Sequence, residues 1–206
     1  LESLNVIFNN GSSQTADISG ITADSYYSWD GGTGYSVLPV PDTTVPESLT
    51  LTLSAPFGTL SSPYDMNFAN VNGLNAYIVS GYLRSGDALK LLLTKVVDVP
   101  AGTGVLLSGT AGATYEIPYG CNVAAYRNYM VGCTADKTIA PTSGTNTNFV
   151  LVSNGGYCFG TLSTARTIPA GKAYLQLPTA IISANTKYVY FIEDNATGIR
   201  EVSGDS

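Results

Sequence analysis

The chain has 206 residues, of which 12% are charged, with nine lysines and arginines against fifteen acids and no histidine, for a net charge of −6. That balance argues against nucleic acid and anionic membrane surfaces as partners, since both need a cationic patch. The lack of imidazole excludes Ser-His-Asp and Cys-His nucleophile systems and any His-ligated zinc.

The length suits one large domain or two small ones, with a core that needs no metal or disulfide. Twenty-two glycines and ten prolines are scattered through a chain with fourteen tyrosines and one tryptophan, as punctuation between short strands would be. The expected fold is all-β with little helix. No stretch approaches the ~20 apolar residues of a membrane-spanning helix, so no membrane insertion is expected. The chain opens at Leu1 without signal-peptide features, which reads as a mature or trimmed fragment cut from a longer polypeptide.

In chain order, Leu4, Val6 and Phe8 alternate with polar positions before Asn10-Gly11, a strong hairpin signal because both turn residues tolerate positive φ. Gln14 to Ile18 would return as the partner strand. Tyr26, Tyr27 and Trp29 then stand beside Gly31-Gly32. Pro39, Pro41 and Pro46 break any sheet and favour an extended connection, which places a boundary between a segment 1–45 and a domain 46–206. Leu49, Leu51 and Leu53 alternate with serine and threonine, predicting a half-buried strand over 48–54. Further strands are predicted over 65–69, 74–80, 88–98, 103–108, 113–117, 147–153, 157–162, 172–177 and 187–193. Asn72-Gly73 and Asn154-Gly155 mark turns, and only 122–131 could hold a turn or two of helix.

Asn75-Ala-Tyr-Ile-Val-Ser80 resembles Asn148-Phe-Val-Leu-Val-Ser153, and each is followed by a strand and then by Val99-Pro-Ala-Gly102 or Ile168-Pro-Ala-Gly171. Proline followed two residues later by glycine suits a type II turn. Convergent turn chemistry is one reading. The shared upstream segment favours the other: a duplicated strand–strand–turn–strand unit within an antiparallel β-sandwich.

Paired carboxylates are the remaining catalytic option. Asp65, Asp87, Asp98, Glu116, Glu193 and Asp194 mostly lie beside turn signals, where aspartate commonly caps backbone, so no enzyme and no cofactor are expected. Asp194 and Asn195 offer clustered oxygens of the kind calcium uses; the alternative is a plain Asp/Asn turn. Cys121 and Cys133 bracket a short loop that an oxidising compartment could close for about 3 kcal/mol, whereas Cys158 reads as a buried free thiol. Tyr26, Tyr27, Trp29 and Tyr35 form the densest aromatic cluster, suited to stacking on sugar rings and equally to filling a sheet face.

Phe57-Gly-Thr-Leu-Ser-Ser-Pro-Tyr-Asp-Met-Asn-Phe68, Val71-Asn-Gly-Leu-Asn-Ala-Tyr-Ile78, Val99-Pro-Ala-Gly-Thr-Gly-Val-Leu-Leu107, Ile168-Pro-Ala-Gly-Lys-Ala-Tyr-Leu175 and Asp194-Asn-Ala-Thr-Gly-Ile199 together resemble a β-rich domain of surface and secreted proteins of Bacteroidetes. The resemblance implies export to the cell surface or medium of a Gram-negative bacterium. It also implies a non-catalytic spacer or adhesive role, with a glycan or another envelope protein as partner; it brings no functional residues. Asp42-Thr43-Thr44 resembles the short O-glycosylation signal of these bacteria. The alternative function is a carbohydrate-binding module using the tyrosines and Trp29.

Burying Leu4, Val6 and Phe8 in cis is worth roughly 1.5–3 kcal/mol each, and no competing gain from strand exchange is visible. Residues 1–38 are therefore expected to pack onto the main body and the chain to be monomeric. Light scattering should give a monomer, and a chain starting at Glu47 should melt lower; a stable dimer or an unchanged melting temperature contradicts this.

Overall fold

The computed structural model describes residues 3–7, 13–17, 25–29, 35–39, 46–85, 88–120 and 125–192. The chain divides into two compact units, Leu1–Val45 and Pro46–Ser206. In the smaller unit, β1 (Ser3–Ile7) pairs antiparallel with β2 (Ser13–Asp17), placing Leu4 opposite Ala16 and Val6 opposite Gln14. This is the expected hairpin; Phe8 and Asn10-Gly11 lie outside the described residues. A second ribbon joins β3 (Ser25–Trp29) to β4 (Tyr35–Pro39).

The larger unit contains β5 (Ser48–Thr52), β6 (Phe57–Leu60), β7 (Met66–Asn67), β8 (Asn75–Ser85), β9 (Ala88–Val96), β10 (Asp98–Val99), β11 (Val105–Ser108) and β12 (Thr114–Pro118). It continues with β13 (Met130–Cys133), β14 (Lys137–Ile139), β15 (Thr142–Ser143), β16 (Asn146–Ser153), β17 (Tyr157–Thr161), β18 (Arg166–Ile168), β19 (Lys172–Pro178) and β20 (Tyr188–Ile192). The fold is all-β. The helical turn expected within 122–131 is not formed among the described residues: 125–129 are irregular, and Met130 and Val131 open β13. The β-branched Val131 pairs across to Tyr174 on β19, a long-range contact that overrides the local helical pattern.

One ten-stranded sheet, nearly closed, runs β13-β19-β16-β17-β20-β9-β8-β11-β6, with β15 on β16. Ribbons β5–β12, β7–β10 and β14–β18 lie off it. The order is a palindrome about β20. On one side β6, β11, β8 and β9 pair in sequence, and on the other β13, β19, β16 and β17 do the same. The registers match: Leu60 opposite Val105 corresponds to Val131 opposite Tyr174, and Leu106 opposite Tyr77 to Leu175 opposite Phe149. Val99 opposite Met66 likewise corresponds to Ile168 opposite Lys137.

The duplicated unit is therefore present, and it begins earlier than the sequence motifs, at β6 and β13. Its alignment differs from the sequence comparison by a single residue: Ala76, and not Asn75, corresponds to Asn148. The resemblance of the two Asn-led segments pulled the alignment one step off the pleat, and such a step exchanges the faces of a strand.

The expectation of a purely antiparallel arrangement is corrected at one place. β20 is antiparallel to β17 and parallel to β9. The outer strands of two halves related by a two-fold axis run in opposite directions, so a single strand inserted between them must be parallel to one. β20 brings fully buried Val189 and nearly buried Phe191 to a core shared by both halves, with Leu91, Leu106, Phe149, Phe159 and Leu175.

At the ends of the sheet the halves meet. β6 lies beside β19 and β11 beside β13. Thr103 bridges Val131, and the Ser61 N–H donates to Gly171 O at 3.0 Å. Ser61 and Gly132 are corresponding positions, as are Gly104 and Ala173. A Cβ on Gly104 would lie 2.8 Å from the Ala173 Cβ, and one on Gly132 would collide with Ser61 Oγ and Gly102 O. Near the axis there is room for one side chain of each pair. Ser61 takes its place there at a cost, its hydroxyl buried without a hydrogen-bond partner.

Gly132→Ala should lower stability by roughly 3 kcal/mol, the upper end of ordinary overpacking. Ser61→Ala, which removes an unpaired buried hydroxyl, should raise it by about 1 kcal/mol. Urea midpoints of the full chain check both, and an unchanged midpoint for Gly132→Ala contradicts the axial packing.

Candidate functional site

The aromatic cluster resolves by register. Trp29 stands opposite Tyr35, Tyr27 opposite Val37 and Tyr26 opposite Leu38. Strand alternation places Tyr27, Trp29 and Tyr35 on one face of the ribbon and Tyr26 on the other. Three of the four candidates thus occupy positions of one ribbon face.

The carboxylates are held apart in architectural positions. Asp65 Oδ1 accepts from the Ala101 N–H at 2.6 Å, and Asp136 Oδ1 accepts from the Ala170 N–H at 2.8 Å. These are corresponding contacts in the two halves, one on each Pro-Ala-Gly turn. Each turn closes from the residue after glycine back to the proline carbonyl, Thr103 to Pro100 and Lys172 to Pro169. Proline is therefore the first of the four turn residues. Gly102 and Gly171 take φ of 74° and 80° at the third position, where an L side chain would be strained.

The remaining described candidates are also engaged. Asp98 accepts from Asn67 Nδ2 across the β7–β10 ribbon at 2.7 Å, and Glu116 accepts from the Ser48 hydroxyl at 2.8 Å. Asp87, Glu193, Asp194 and Asn195 lie outside the described residues. No group of three or more Cys, Asp or Glu side chains that could hold a metal ion occurs among the described residues. Cys158 is buried and free, as expected; Cys133 is also a buried free thiol, and Cys121 lies outside the described residues. Burial pushes both thiols above the ordinary range, opposed at Cys133 by the nearby Lys137 charge and at Cys158 by a backbone hydrogen bond involving Asn154.

A feature the sequence reading missed lies on the outer face of the second half. A cleft of about 470 Å³ is lined by Val131, Lys137 to Ala140, Thr142, Ser143, Asn148, Tyr174 and Gln176. Asn148 is 1% exposed. Its Nδ2 donates to Ala140 O at 2.9 Å, and its Oδ1 accepts from Gln176 Nε2 at 2.9 Å. The Lys137 ammonium sits 5.6 Å from the centre of the Tyr174 ring, within cation–π range. The signal for it is Asn148, an amide at the head of the apolar run Phe149–Val152.

No protein-family model, curated protein or solved structure matches the chain.

Losing the carboxylate of Asp65 or Asp136 leaves a turn amide without its acceptor. Both contacts are exposed, so Asp65→Ala and Asp136→Ala should each cost roughly 0.5–1.5 kcal/mol, with similar values because the contacts correspond. Thermal melting of the two variants checks this, and a neutral result at either site contradicts its role as a turn lock.

Proposed function

We propose that the chain is a non-catalytic module of an exported bacterial surface protein, serving as a spacer or adhesion platform. The observation that carries this reading is the use made of the carboxylates. Of the described carboxylates, Asp65, Asp98, Glu116 and Asp136 are each hydrogen-bonded within turns or across ribbons. A catalytic pair needs two such groups facing a common substrate. Both halves also share one core, which suits a body that carries load or presents a surface. The resemblance to Bacteroidetes surface domains supports export, and low charge suits a module that holds neighbours apart without attracting polyanions.

A second reading is carbohydrate binding by the β3–β4 ribbon, favoured by the register that brings Tyr27, Trp29 and Tyr35 to one face. Alternate positions on a strand are spaced by ~6.8 Å along the backbone, and aromatic faces stack on the apolar faces of sugars.

Incubation with glycan and peptide panels should yield no turnover. Reproducible turnover that disappears with Asp65→Asn or Glu116→Gln, in protein that remains folded, overturns the non-catalytic reading. A glycan-array hit lost in Trp29→Ala establishes the second reading at that ribbon.

A further inference from the structure

The two halves differ in what covers their outer face. In the first half, Leu60, Phe68, Ile78, Val96, Val99 and Val105 form a core roofed by the β5–β12 ribbon, which contributes Leu49, Leu51, Tyr115 and Ile117. The corresponding residues of the second half, Val131, Ile139, Val150, Leu162, Ile168 and Tyr174, also cluster, but no counterpart of the β5–β12 ribbon packs on them among the described residues. The reason is connectivity. β5 and β12 flank the first half in sequence, whereas β19 is followed by a 3-10 turn at Thr179–Ile181 and then by β20 within the main sheet.

The sequence is changed where the roof is missing. Met66, Ala76 and Leu107 of the first half, all fully buried, correspond to Lys137, Asn148 and Gln176. These three replacements all line the cleft. An apolar ribbon like β5–β12 laid over them would strip water from an ammonium and an amide without supplying partners, at a cost no such roof recovers. The cleft floor instead presents amides held in place by one another, and hydroxyls at Thr138, Thr142 and Ser143 stand at its rim with one positive charge. Oriented hydrogen-bonding groups around a cation suit a ligand rich in hydroxyls and bearing a carboxylate.

We propose that this cleft is a binding site for an acidic saccharide unit, occupying the place that the β5–β12 ribbon takes in the first half. Lys137 faces the carboxylate; Gln176, oriented through Asn148, and the rim hydroxyls meet the ring hydroxyls. The proposal deepens the adhesion reading by naming its ligand class, and it is separate from the aromatic ribbon.

The test uses the full chain, with trigalacturonic acid and its methyl ester as probes, followed by amide resonances in NMR titrations. The acid should shift residues 137–143, 148 and 174–176. The ester should bind about tenfold more weakly, since a charge-assisted hydrogen bond is lost. Lys137→Met and Gln176→Leu, which install the first-half residues at positions not fully buried, should weaken the acid comparably and leave the spectrum otherwise unchanged. Trp29→Ala should leave this binding intact. No shift with either probe at millimolar concentration overturns the proposal, as do equal binding of acid and ester, shifts mapping to the β3–β4 ribbon, or self-association through this face. Turnover of the bound saccharide would defeat the non-catalytic reading while leaving the binding site standing.

Discussion

The larger unit depends on one close approach, where the two halves meet near their pseudo-two-fold axis. Positions that correspond by duplication converge there, and a Cβ on both members of a pair would overlap. Ser61 therefore faces Gly132, and Ala173 faces Gly104. Because backbone atoms as well as side chains lie within this contact, neither edge of the sheet can shift without disturbing the other. Asn128 reinforces the junction: its Nδ2 donates to Gly104 O at 2.7 Å, and its Oδ1 accepts the N–H groups of Val79 and Met130. Tyr129 continues it, donating its N–H to Val79 O and accepting from the Gln176 N–H.

That contact brings the sheet nearly to closure at one end of its strand order and leaves a gap of one strand at the other. β20 fills the gap and removes what would otherwise be two exposed edges, β9 and β17, each a template for unwanted pairing. The symmetry is broken by this strand and by the β5–β12 ribbon. Both asymmetries arise because a covalent chain must enter and leave a two-fold arrangement somewhere. The halves differ accordingly: the roofed face is apolar, and the open face carries Lys137, Asn148 and Gln176.

Much of this was legible in the residues. Leu49, Leu51 and Leu53 announced β5 and the position following it; the long apolar runs announced β8, β9, β16 and β19 within a few residues. The shorter strands β6, β14 and β18 went unseen because three or four residues such as Lys137–Ile139 carry no period, and they become strands only through partners far away in sequence. The aromatic set was visible as a cluster, while the division that sends Tyr26 to the opposite face needed the pairing of Trp29 with Tyr35.

The sequence by itself determined the all-β character, the turn positions and the existence of a repeat, because alternation and Pro-x-Gly chemistry act within a few residues of chain. Only the tertiary structure decided the register of the repeat, the parallel insertion of β20, the glycines demanded near the axis and the open cleft. Each of these is set by which strand lies beside which, and pairing between distant segments is governed by the burial of whole faces, a property no local window contains.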